Sequence, residues 1–341
     1  MMTLLNNVSL KPHNTFGIDV LAKKFTTFST LEEAKEIIAS KEFISENNQL
    51  ILGGGSNVLF TKNFDGIIAL NQLKGIELVN EDAEYFYVKA AAGEVWHELV
   101  LNCIANNWAG LENLSLIPGN VGASPMQNIG AYGVEIKDVF HALDALNIHT
   151  GEVITFHNAD CEFGYRESVF KRKYKNQFII VSVTYRLLKT PQLNTSYGAI
   201  EQELEKMNIS TPTICDVSNA VIAIRSSKLP NPKEIGNAGS FFKNPVVSAE
   251  KLERLKHDFP NIPNYPQANG DVKLAAGWLI EQTGWKGKTI DNRYGVHKLQ
   301  ALVLVNYGGA TGNEVYQLST DIVNSVKEKF GVELEREVNV C

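Results

Sequence analysis

Two short segments carry side chains that could bind a carboxylate and deliver a proton. Arg166 lies in Gly164–Lys171, between an aromatic ring and a carboxylate, and its planar guanidinium could hold a carboxylate through two hydrogen bonds. Ser240 lies in the glycine- and phenylalanine-containing segment Gly239–Pro245. No G-x-S-x-G motif surrounds it, which argues against an acyl-transfer nucleophile. From the residues alone, the basic run after Arg166 could equally form a solvated face, and Ser240 could be a packed loop residue.

A third candidate for proton chemistry is a row of glutamates near the end of the sequence. A period of two over 332–340 predicts a strand with Glu333, Glu335 and Glu337 on one face and Leu334, Val338 and Val340 on the other. A solvated strand face is the alternative interpretation. The histidines are scattered without an HExxH motif and the cysteines without CxxC, so no metal site is predicted.

Glycine-rich segments could supply backbone amides to a phosphate. Gly53-Gly54-Gly55-Ser56-Asn57 follows a predicted strand at 50–52, and a second region covers Pro118–Ser124 and Gly130–Gly133. Glycine lets the backbone turn through positive φ and approach a ligand closely. The first segment is neither a Walker loop nor a GxGxxG motif leading into a helix. Two such segments in one domain could enclose the pyrophosphate of a dinucleotide, although a structural turn and loop remain the alternative.

The elements that must position these residues differ between the two halves of the chain. The first half reads as short strands, with a helix at 30–40 that begins at the capping pair Thr30 and Glu33. The long segment 110–133 has no periodicity, which is typical of a functional loop. The second half is richer in helices, among them 273–282 and 313–330. The pattern predicts an α+β protein with one domain over 1–190 and a smaller one over 191–341.

Composition limits the classes of protein and partner. The chain has 341 residues, 44% of them hydrophobic, and 32 basic against 38 acidic side chains give a formal net charge of −6. These values predict a soluble globular protein without general affinity for nucleic acid or anionic lipid. No signal peptide is apparent, and no apolar run approaches the ~20 residues that span a bilayer. We therefore expect a cytoplasmic protein with reduced thiols, and no sequence pattern specifies an oligomeric state.

Taken together, the motifs resemble those of the UDP-N-acetylenolpyruvoylglucosamine reductases, the MurB family of flavoenzymes in peptidoglycan precursor synthesis. The resemblance runs through NTFG, GGGSN, IPGNVGASPMQNIGAYG, GYRESVFK, IRSSKLP, GSFFKNP and LEREV, which together span almost the whole chain. It implies an FAD-binding domain of the vanillyl-alcohol-oxidase type (PCMH-like), followed by a smaller α+β substrate-binding domain. The terminal strand is expected to pack back near the active site.

The resemblance also implies binding residues. Noncovalent FAD would be held by Gly53, Gly54, Gly55, Ser56, Asn57, Pro118, Gly119, Gly122, Ala123, Ser124, Gly130, Tyr132 and Arg225. The UDP-sugar would be contacted by Tyr197, Lys228, Asn244, Tyr265, Lys286 and Gln300. Tyr197 is similar to the tyrosine that covers the substrate in the longer form of the family. No metal, nucleic acid or membrane is implied, and the expected small-molecule partners are the UDP-sugar and NADPH.

The implied reaction is the NADPH-dependent reduction of an enolpyruvyl ether through FAD, with hydride delivered to C3 and a proton to C2. Arg166 would hold and polarise the substrate carboxylate, Ser240 would donate the proton, and Glu337 would help to stabilise the enolic intermediate. The choice of Glu337 over Glu335 rests on the L-E-x-E-V register. Asn339 stands where the family often has an arginine, which removes a second cation from this strand.

Two other functions were weighed against this reductase. An alcohol oxidase or dehydrogenase with the same flavin fold would oxidise its substrate and would not require Ser240. A flavin- or nucleotide-binding protein without turnover would not need Arg166, Ser240 and Glu337 together, because binding alone requires no proton donor.

Overall fold

The computed structural model describes residues 2–341, which form two compact units. Unit 1 contains residues 2–8, Leu21–Gly54 and Asp65–Ser227, and unit 2 contains Ser9–Val20, Gly55–Phe64 and Lys228–Cys341. Helices and strands occur in both units, so the predicted α+β class is confirmed. Compactness assigns residues 191–227 to unit 1, whereas the sequence suggested a boundary at 190; that boundary stays a prediction about domain function.

The strands and helices are numbered in chain order. The strands are β1 (Leu5–Ser9), β2 (Leu21–Phe28), β3 (Gln49–Leu52), β4 (Val58–Leu59), β5 (Phe64–Asn71), β6 (Ile76–Glu81), β7 (Tyr85–Ala91), β8 (Gly130–Ala131), β9 (Val134–Glu135), β10 (Phe140–Asn147), β11 (Val153–His157), β12 (Phe178–Leu188), β13 (Val246–Val247), β14 (Asn264–Pro266), β15 (Val272–Leu274), β16 (Thr289–Ile290), β17 (Tyr294–Val296), β18 (Leu304–Asn306) and β19 (Asn339–Val340). The helices are α1 (Leu31–Ala39), α2 (Lys41–Ile44), α3 (Trp96–Ala105), α4 (Gly198–Lys206), α5 (Ile214–Lys228), α6 (Ala249–Asp258), α7 (Ala276–Gln282) and α8 (Gly312–Phe330).

Unit 1 is built on two sheets. One has the strand order β1-β2-β5-β3, with β3 and β5 parallel, and the other has the order β11-β10-β12-β7-β6. The β10–β12 and β12–β7 pairs are antiparallel. From Val183 to Leu188 the side chains of β12 alternate between buried and less buried positions, as expected for a strand with one face on a core. The second sheet supports the loop at 110–133 through Tyr185 of β12, whose hydroxyl lies next to the Ser124 hydroxyl.

Two large aromatic residues in the core of unit 1 hold that loop. Trp96 and Tyr185 are almost fully buried and meet edge to face, with 5.8 Å between ring centroids. The Trp96 Nε1 donates to the carbonyl oxygen of Leu114 at 2.8 Å. The Tyr185 hydroxyl lies 2.9 Å from the Ser124 hydroxyl. Because buried aromatic side chains contribute large apolar areas while their polar tips form hydrogen bonds, the loop is anchored at two points.

Unit 2 combines the C-terminal third of the chain with two segments from its beginning. Its sheets have the orders β13-β15-β14, β16-β17-β18 and β19-β4. Its buried core contains Phe16, Ile18 and Leu59 beside residues of α7 and α8. Gly312 opens α8 so close to Phe60 that an added Cβ would lie 1.7 Å from the Phe60 carbonyl oxygen. A side chain at this position would push α8 away from the β4 segment.

Capping residues fix the starts of two helices, and the first of these caps, at Thr30, is the one that the sequence predicts. Thr30 precedes α1, and its hydroxyl accepts from the Glu33 amide at 3.1 Å. Thr311 and Glu314 form a reciprocal capping box at α8, which ends at Gly331 with φ 61°. Side-chain acceptors satisfy amides that have no partner in the first helical turn, and glycine adopts the left-handed conformation without strain.

Two sequence-based elements differ in the structure. The expected helix 273–282 begins only at Ala276, because Val272–Leu274 pairs as β15 with β13 and β14. The expected strand over 332–340 is not continuous: Arg336 bridges Phe242 in antiparallel fashion, and β19 then pairs in parallel with β4. The change of partner shifts the alternation, so that Glu337 and Val338 are both buried and Val340 is exposed.

Within residues 2–341, no helix is both long and apolar enough to cross a bilayer.

Candidate active site

The two glycine-rich segments predicted to bind a cofactor meet within unit 1. A Cβ added at Gly54 would lie 2.7 Å from the Asn120 Oδ1 and 3.1 Å from the Gly119 Cα. A Cβ at Gly122 would lie 2.6 Å from the Ala92 Cβ. The backbones therefore approach at distances that only glycine permits. The structure brings together Gly53–Gly54 and the loop that starts at Pro118, as the sequence suggested.

Backbone amides at this junction are available to a ligand. Among the residues that the structure describes, the amides of Gly53, Gly54, Gly119 and Asn120 donate no hydrogen bond. The Asn120 side chain is instead used internally, with its Nδ2 donating to the Gly93 carbonyl oxygen at 3.1 Å. Clusters of undonated amides attract anions, and a pyrophosphate presents oxygens to fill them. The residues present therefore fit the phosphates of a dinucleotide.

Ser124, another predicted cofactor contact, faces the interior. It is 1% exposed, and its hydroxyl also donates to the Val121 carbonyl oxygen at 2.7 Å. Together with the Tyr185 contact, this arrangement makes Ser124 a support for the loop backbone. A cofactor contact of its side chain stays a prediction.

Leu116, at the start of the same loop, has an uncommon backbone conformation. Its φ is 58°, in the left-handed region that a branched side chain rarely adopts. Its amide donates to His97 Nδ1 at 3.0 Å, and its carbonyl oxygen accepts from Arg225 Nε at 3.3 Å. His97 and Arg225 thus hold the strained residue that precedes Ile117 and Pro118 from both sides.

These contacts predict a pH dependence of stability. Because a backbone amide always donates, His97 Nδ1 must be unprotonated to accept from Leu116. Burial lowers the pKa of His97 below 6.5; Glu98 opposes this shift and Arg225 reinforces it. The unfolded chain then binds the proton more tightly, so this contribution to stability is present above pH ~6.5 and is lost as the pH falls. A fall in pH from ~8 to ~5 should therefore lower the melting temperature of the wild type more than that of His97→Gln, as measured by thermal unfolding.

Glutamine is the matched control because it keeps a side-chain acceptor but does not titrate. Other histidines with lowered pKa values affect both proteins equally, so the difference between the two curves isolates His97. Parallel curves would show that His97 does not hold Leu116 in a pH-dependent way.

Arg166 lies at the tip of a tight turn in unit 1. Gly164 and Glu167 pair across it, with amide-to-carbonyl distances of 3.0 and 3.3 Å. Arg166 has φ 54°, the third position of a type II turn, which usually takes glycine or asparagine. Its Nη2 donates to the Gly130 carbonyl oxygen at 2.9 Å. The proposed carboxylate-binding residue is therefore held against the second glycine-rich segment.

A second guanidinium lies near Arg166. Burial lowers the pKa of Arg225, and repulsion from Arg166 lowers it further, while the hydroxyl of Tyr132 interacts with the Arg225 guanidinium and opposes the shift. Tyr132 meets Tyr197 edge to face at 5.5 Å. Two neighbouring cations with aromatic side chains beside them form a site for an anionic ligand with an apolar part. The structure thus groups four predicted residues, Arg166, Arg225, Tyr132 and Tyr197, within unit 1.

The segment that carries Tyr197 is tied to the loop by a residue that sequence reasoning missed. Asn113 is 1% exposed, and its Nδ2 donates to the carbonyl oxygens of Tyr132 and Asn194 at 3.1 and 2.8 Å. The sequence offered little signal here, because Asn113 follows another polar residue, Glu112, between Leu111 and Leu114.

Ser240 and Glu337 lie on adjacent backbone segments in unit 2. The Glu337 amide donates to the Phe241 carbonyl oxygen at 2.8 Å, and Ser240 bridges Val303 on its other side. Gly239, with φ 68°, makes the turn that leads into Ser240. The Ser240 hydroxyl makes no hydrogen bond to any residue within 2–341. The structure therefore brings these two predicted catalytic residues together and leaves the hydroxyl available.

The two candidate glutamates differ in burial. Glu337 is 9% exposed, whereas the Glu335 side chain is 70% exposed and pairs with Lys243 at 2.5 Å. Asn57, from the first glycine-rich segment, donates through Nδ2 to the Glu337 carbonyl oxygen at 3.4 Å. Asn339, which stands in the place of the family's arginine, donates to the Asn57 carbonyl oxygen through both its amide and its Nδ2. Burial favours Glu337, and Asn339 fixes the Asn57 backbone.

The predicted sugar-nucleotide residues lie at several places in the chain. The Asn244 Oδ1 accepts from the Ala276 amide at 2.9 Å at the start of α7, and the Gln300 Oε1 accepts from the Leu302 amide at 3.3 Å. Lys286 pairs with Glu281 at 2.9 Å, and Tyr265 is 53% exposed. Lys228 is the exposed last residue of α5. Their roles in binding stay predictions.

No group of three histidine, cysteine, aspartate or glutamate side chains could hold a metal ion within the described residues.

Two protein-family models match this chain. The model of an FAD binding domain matches residues 28–157. The model of the C-terminal domain of UDP-N-acetylenolpyruvoylglucosamine reductase matches residues 231–341. The first match contains the glycine-rich junction, and the second contains Ser240 and Glu337.

Relatives match over nearly the full length. The UDP-N-acetylenolpyruvoylglucosamine reductase of Flavobacterium johnsoniae is 54% identical over 340 residues, covering 99% of this chain and 100% of the relative. That of Pseudomonas syringae pv. tomato is 51% identical, covering 98% and 97%. The crystal structure of the enzyme from Thermus caldophilus has a TM-score of 0.66 at 24% identity and covers 100% of this chain and 99% of its own; it supports the fold.

Proposed function

This chain belongs to the family of UDP-N-acetylenolpyruvoylglucosamine reductases, and from that premise we propose that it reduces UDP-N-acetylenolpyruvoylglucosamine to UDP-N-acetylmuramate. Full-length identity of 54% to a named reductase is the observation that carries the proposal. NADPH is the proposed electron donor and FAD the cofactor. We place this activity in cytoplasmic synthesis of peptidoglycan precursors for the cell wall, and hence in growth, shape and division.

FAD would be held at the glycine-rich junction of unit 1. The undonated amides of Gly53, Gly54, Gly119 and Asn120 suit its pyrophosphate. When bound, FAD would supply the hydride chemistry between NADPH and C3 of the enolpyruvyl group. Because the overall charge of −6 provides no general attraction to a phosphate, the pyrophosphate would be held by local basic groups and by backbone amides such as these.

The substrate carboxylate would be held by Arg166. As C3 gains its hydride, negative charge builds on C2 and on the adjoining carboxylate, and a fixed guanidinium stabilises this charge where it develops. The repulsion from Arg225 supports this role, since two neighbouring cations are stabilised when an anion binds between or beside them. Tyr197 lies in the same cluster, where it would cover the bound sugar.

Ser240 would deliver the proton that C2 needs to complete the reaction. A hydroxyl is a weak acid in water, but a carbon that carries enolate charge is basic enough to take its proton when the geometry is fixed. The available hydroxyl and the paired backbone of residues 240–242 support this role. Glu337, buried on the neighbouring segment, would help to stabilise the enolic intermediate.

A sequence of two additions tests the proposed function. The purified protein should be yellow with bound flavin and should bleach when NADPH is added without oxygen. Adding UDP-N-acetylenolpyruvoylglucosamine should then restore the colour rapidly. Bleaching that no enolpyruvyl substrate reverses would indicate a different acceptor, and a protein that binds no FAD would refute the proposal outright.

A further inference from the structure

The turn that carries Arg166 is fastened to the second glycine-rich segment by a buried residue with no assigned role. Asn128 is fully buried, and its Nδ2 donates to the Gly164 carbonyl oxygen and to Glu135 Oε2, both at 3.0 Å. Its Oδ1 accepts from the Lys137 amide at 3.1 Å. The Asn128 side chain therefore joins Gly164, at the base of the Arg166 turn, to Glu135 in β9 and to Lys137 just after β9.

Other contacts reach the same turn from the same segment. The Ser168 hydroxyl donates to the Met126 carbonyl oxygen at 2.7 Å, two residues from Asn128. Arg166 itself donates to the Gly130 carbonyl oxygen, two residues from Asn128 on the other side. Three bonds therefore join 126–137 with 164–168, from Asn128 to Gly164, from Ser168 to Met126 and from Arg166 to Gly130, so the two segments form one hydrogen-bonded unit.

The backbone of the turn needs such support. Arg166 and Asn128 both have positive φ, 54° and 44°. Asparagine adopts this conformation readily, whereas an arginine in it carries strain of about 1 kcal/mol or more. Strained residues persist only where the surroundings over-determine them, and they cluster at sites where geometry matters. The Asn128 contacts provide that over-determination at the residue proposed to hold the substrate carboxylate.

We propose that Asn128 is a positioning residue that sets the place of the Arg166 guanidinium for the enolpyruvyl carboxylate. This inference rests on the proposed function. Asn128 contributes no group to the reaction, and it acts by fixing Gly164 relative to the loop that also carries Gly130. A misplacement of about 1 Å at a reacting group can cost about a hundredfold in rate, so a small release of the turn should be measurable.

The main variant is Asn128→Asp. Aspartate has nearly the same shape and tolerates positive φ, but it replaces the donor toward Gly164 with an acceptor and faces the Glu135 carboxylate. We expect FAD reduction by NADPH to stay within about twofold of the wild type, while reduction of the enolpyruvyl substrate slows by at least tenfold and its KM rises. Asn128→Gly, which keeps the backbone conformation and adds no charge, should show the same selectivity.

A readout without turnover follows from the position of Arg166. Trypsin cleaves after arginine only when the backbone can open, and Arg166 lies in a paired, half-buried turn. Limited proteolysis of the FAD-free Asn128 variants should cut after Arg166 several-fold faster than in the wild type. Asn71→Asp is the matched control: Asn71 is 7% exposed, also donates to a backbone carbonyl oxygen of unit 1, and contacts no part of the turn.

The outcomes separate the inference from the function on which it rests. Equal loss of both half-reactions, failure of both Asn128 variants to retain FAD, unchanged kinetics and cleavage, or the same selective loss in Asn71→Asp would overturn the positioning role. If wild-type enzyme is not reoxidised by the substrate, the proposed function is wrong instead. If Arg166→Ala is as fast as wild type, the role of Arg166 in holding the carboxylate is wrong, and with it the positioning role of Asn128. In both cases the cleavage after Arg166 still reports whether Asn128 holds the turn.

Discussion

Ser240→Ala should slow turnover of the enolpyruvyl substrate by at least ~10²-fold while leaving reduction of the flavin by NADPH near its normal rate. A positioned proton donor typically contributes this much to a proton transfer in the transition state. The reason for the selectivity is that only the second half-reaction needs a proton at C2. Stopped-flow absorbance of the flavin measures the two half-reactions separately.

Ser240→Cys is the rescue variant for this experiment. A thiol of similar size can still donate a proton, so Ser240→Cys should regain part of the rate that Ser240→Ala loses. The Ser240 backbone bridges Val303, so a structural role for this residue remains a real alternative. Equal damage to both half-reactions, without rescue by cysteine, would establish that structural role.

Glu337→Gln should lower kcat by about a hundredfold, whereas Glu335→Gln should change it by less than about twofold. Glutamine keeps the shape of glutamate but removes the carboxyl group, whose contribution to acid–base chemistry is typically of this size. Glu337 is buried beside the Ser240 segment, while Glu335 is an exposed partner of Lys243. Exposed carboxylates in ion pairs contribute only about 1 kcal/mol or less to stability.

The same two variants decide between registers that differ by two residues. Steady-state kcat, with flavin content and melting temperature as controls for folding, gives the comparison. A hundredfold loss in Glu335→Gln with normal activity in Glu337→Gln would move the proposed role to Glu335 and would show that burial misled the choice.

Several elements of unit 1 could be predicted from the sequence because the signals that mark them are local. Thr30 and Glu33 mark the start of α1 through their own hydrogen bond. The glycine-rich segments were found because glycine is the residue that close backbone approach requires. The contact between Gly54 and Gly119 could be suggested but not measured from the sequence.

What the sequence could not give depends on contacts between distant residues. The alternation over 332–340 predicts one strand, but its register changes where the chain leaves Phe242 for β4, a partner almost three hundred residues away in sequence. Asn128 is another example, since its type suits a turn and nothing local shows that its amide reaches Gly164. Tertiary pairing overrides local pattern in both places.

Unit 2 is assembled from segments that are far apart in the chain, and this affects how the protein folds during synthesis. Residues 9–20 and 55–64 leave the ribosome early, but the partners that bury Phe16, Ile18 and Leu59 are translated only after residue 237. These apolar segments must wait, exposed or bound by a chaperone, while most of unit 1 is already complete. Such non-local pairings slow folding and favour aggregation. For the same reason, a fragment that begins near residue 231 would lack part of its own core.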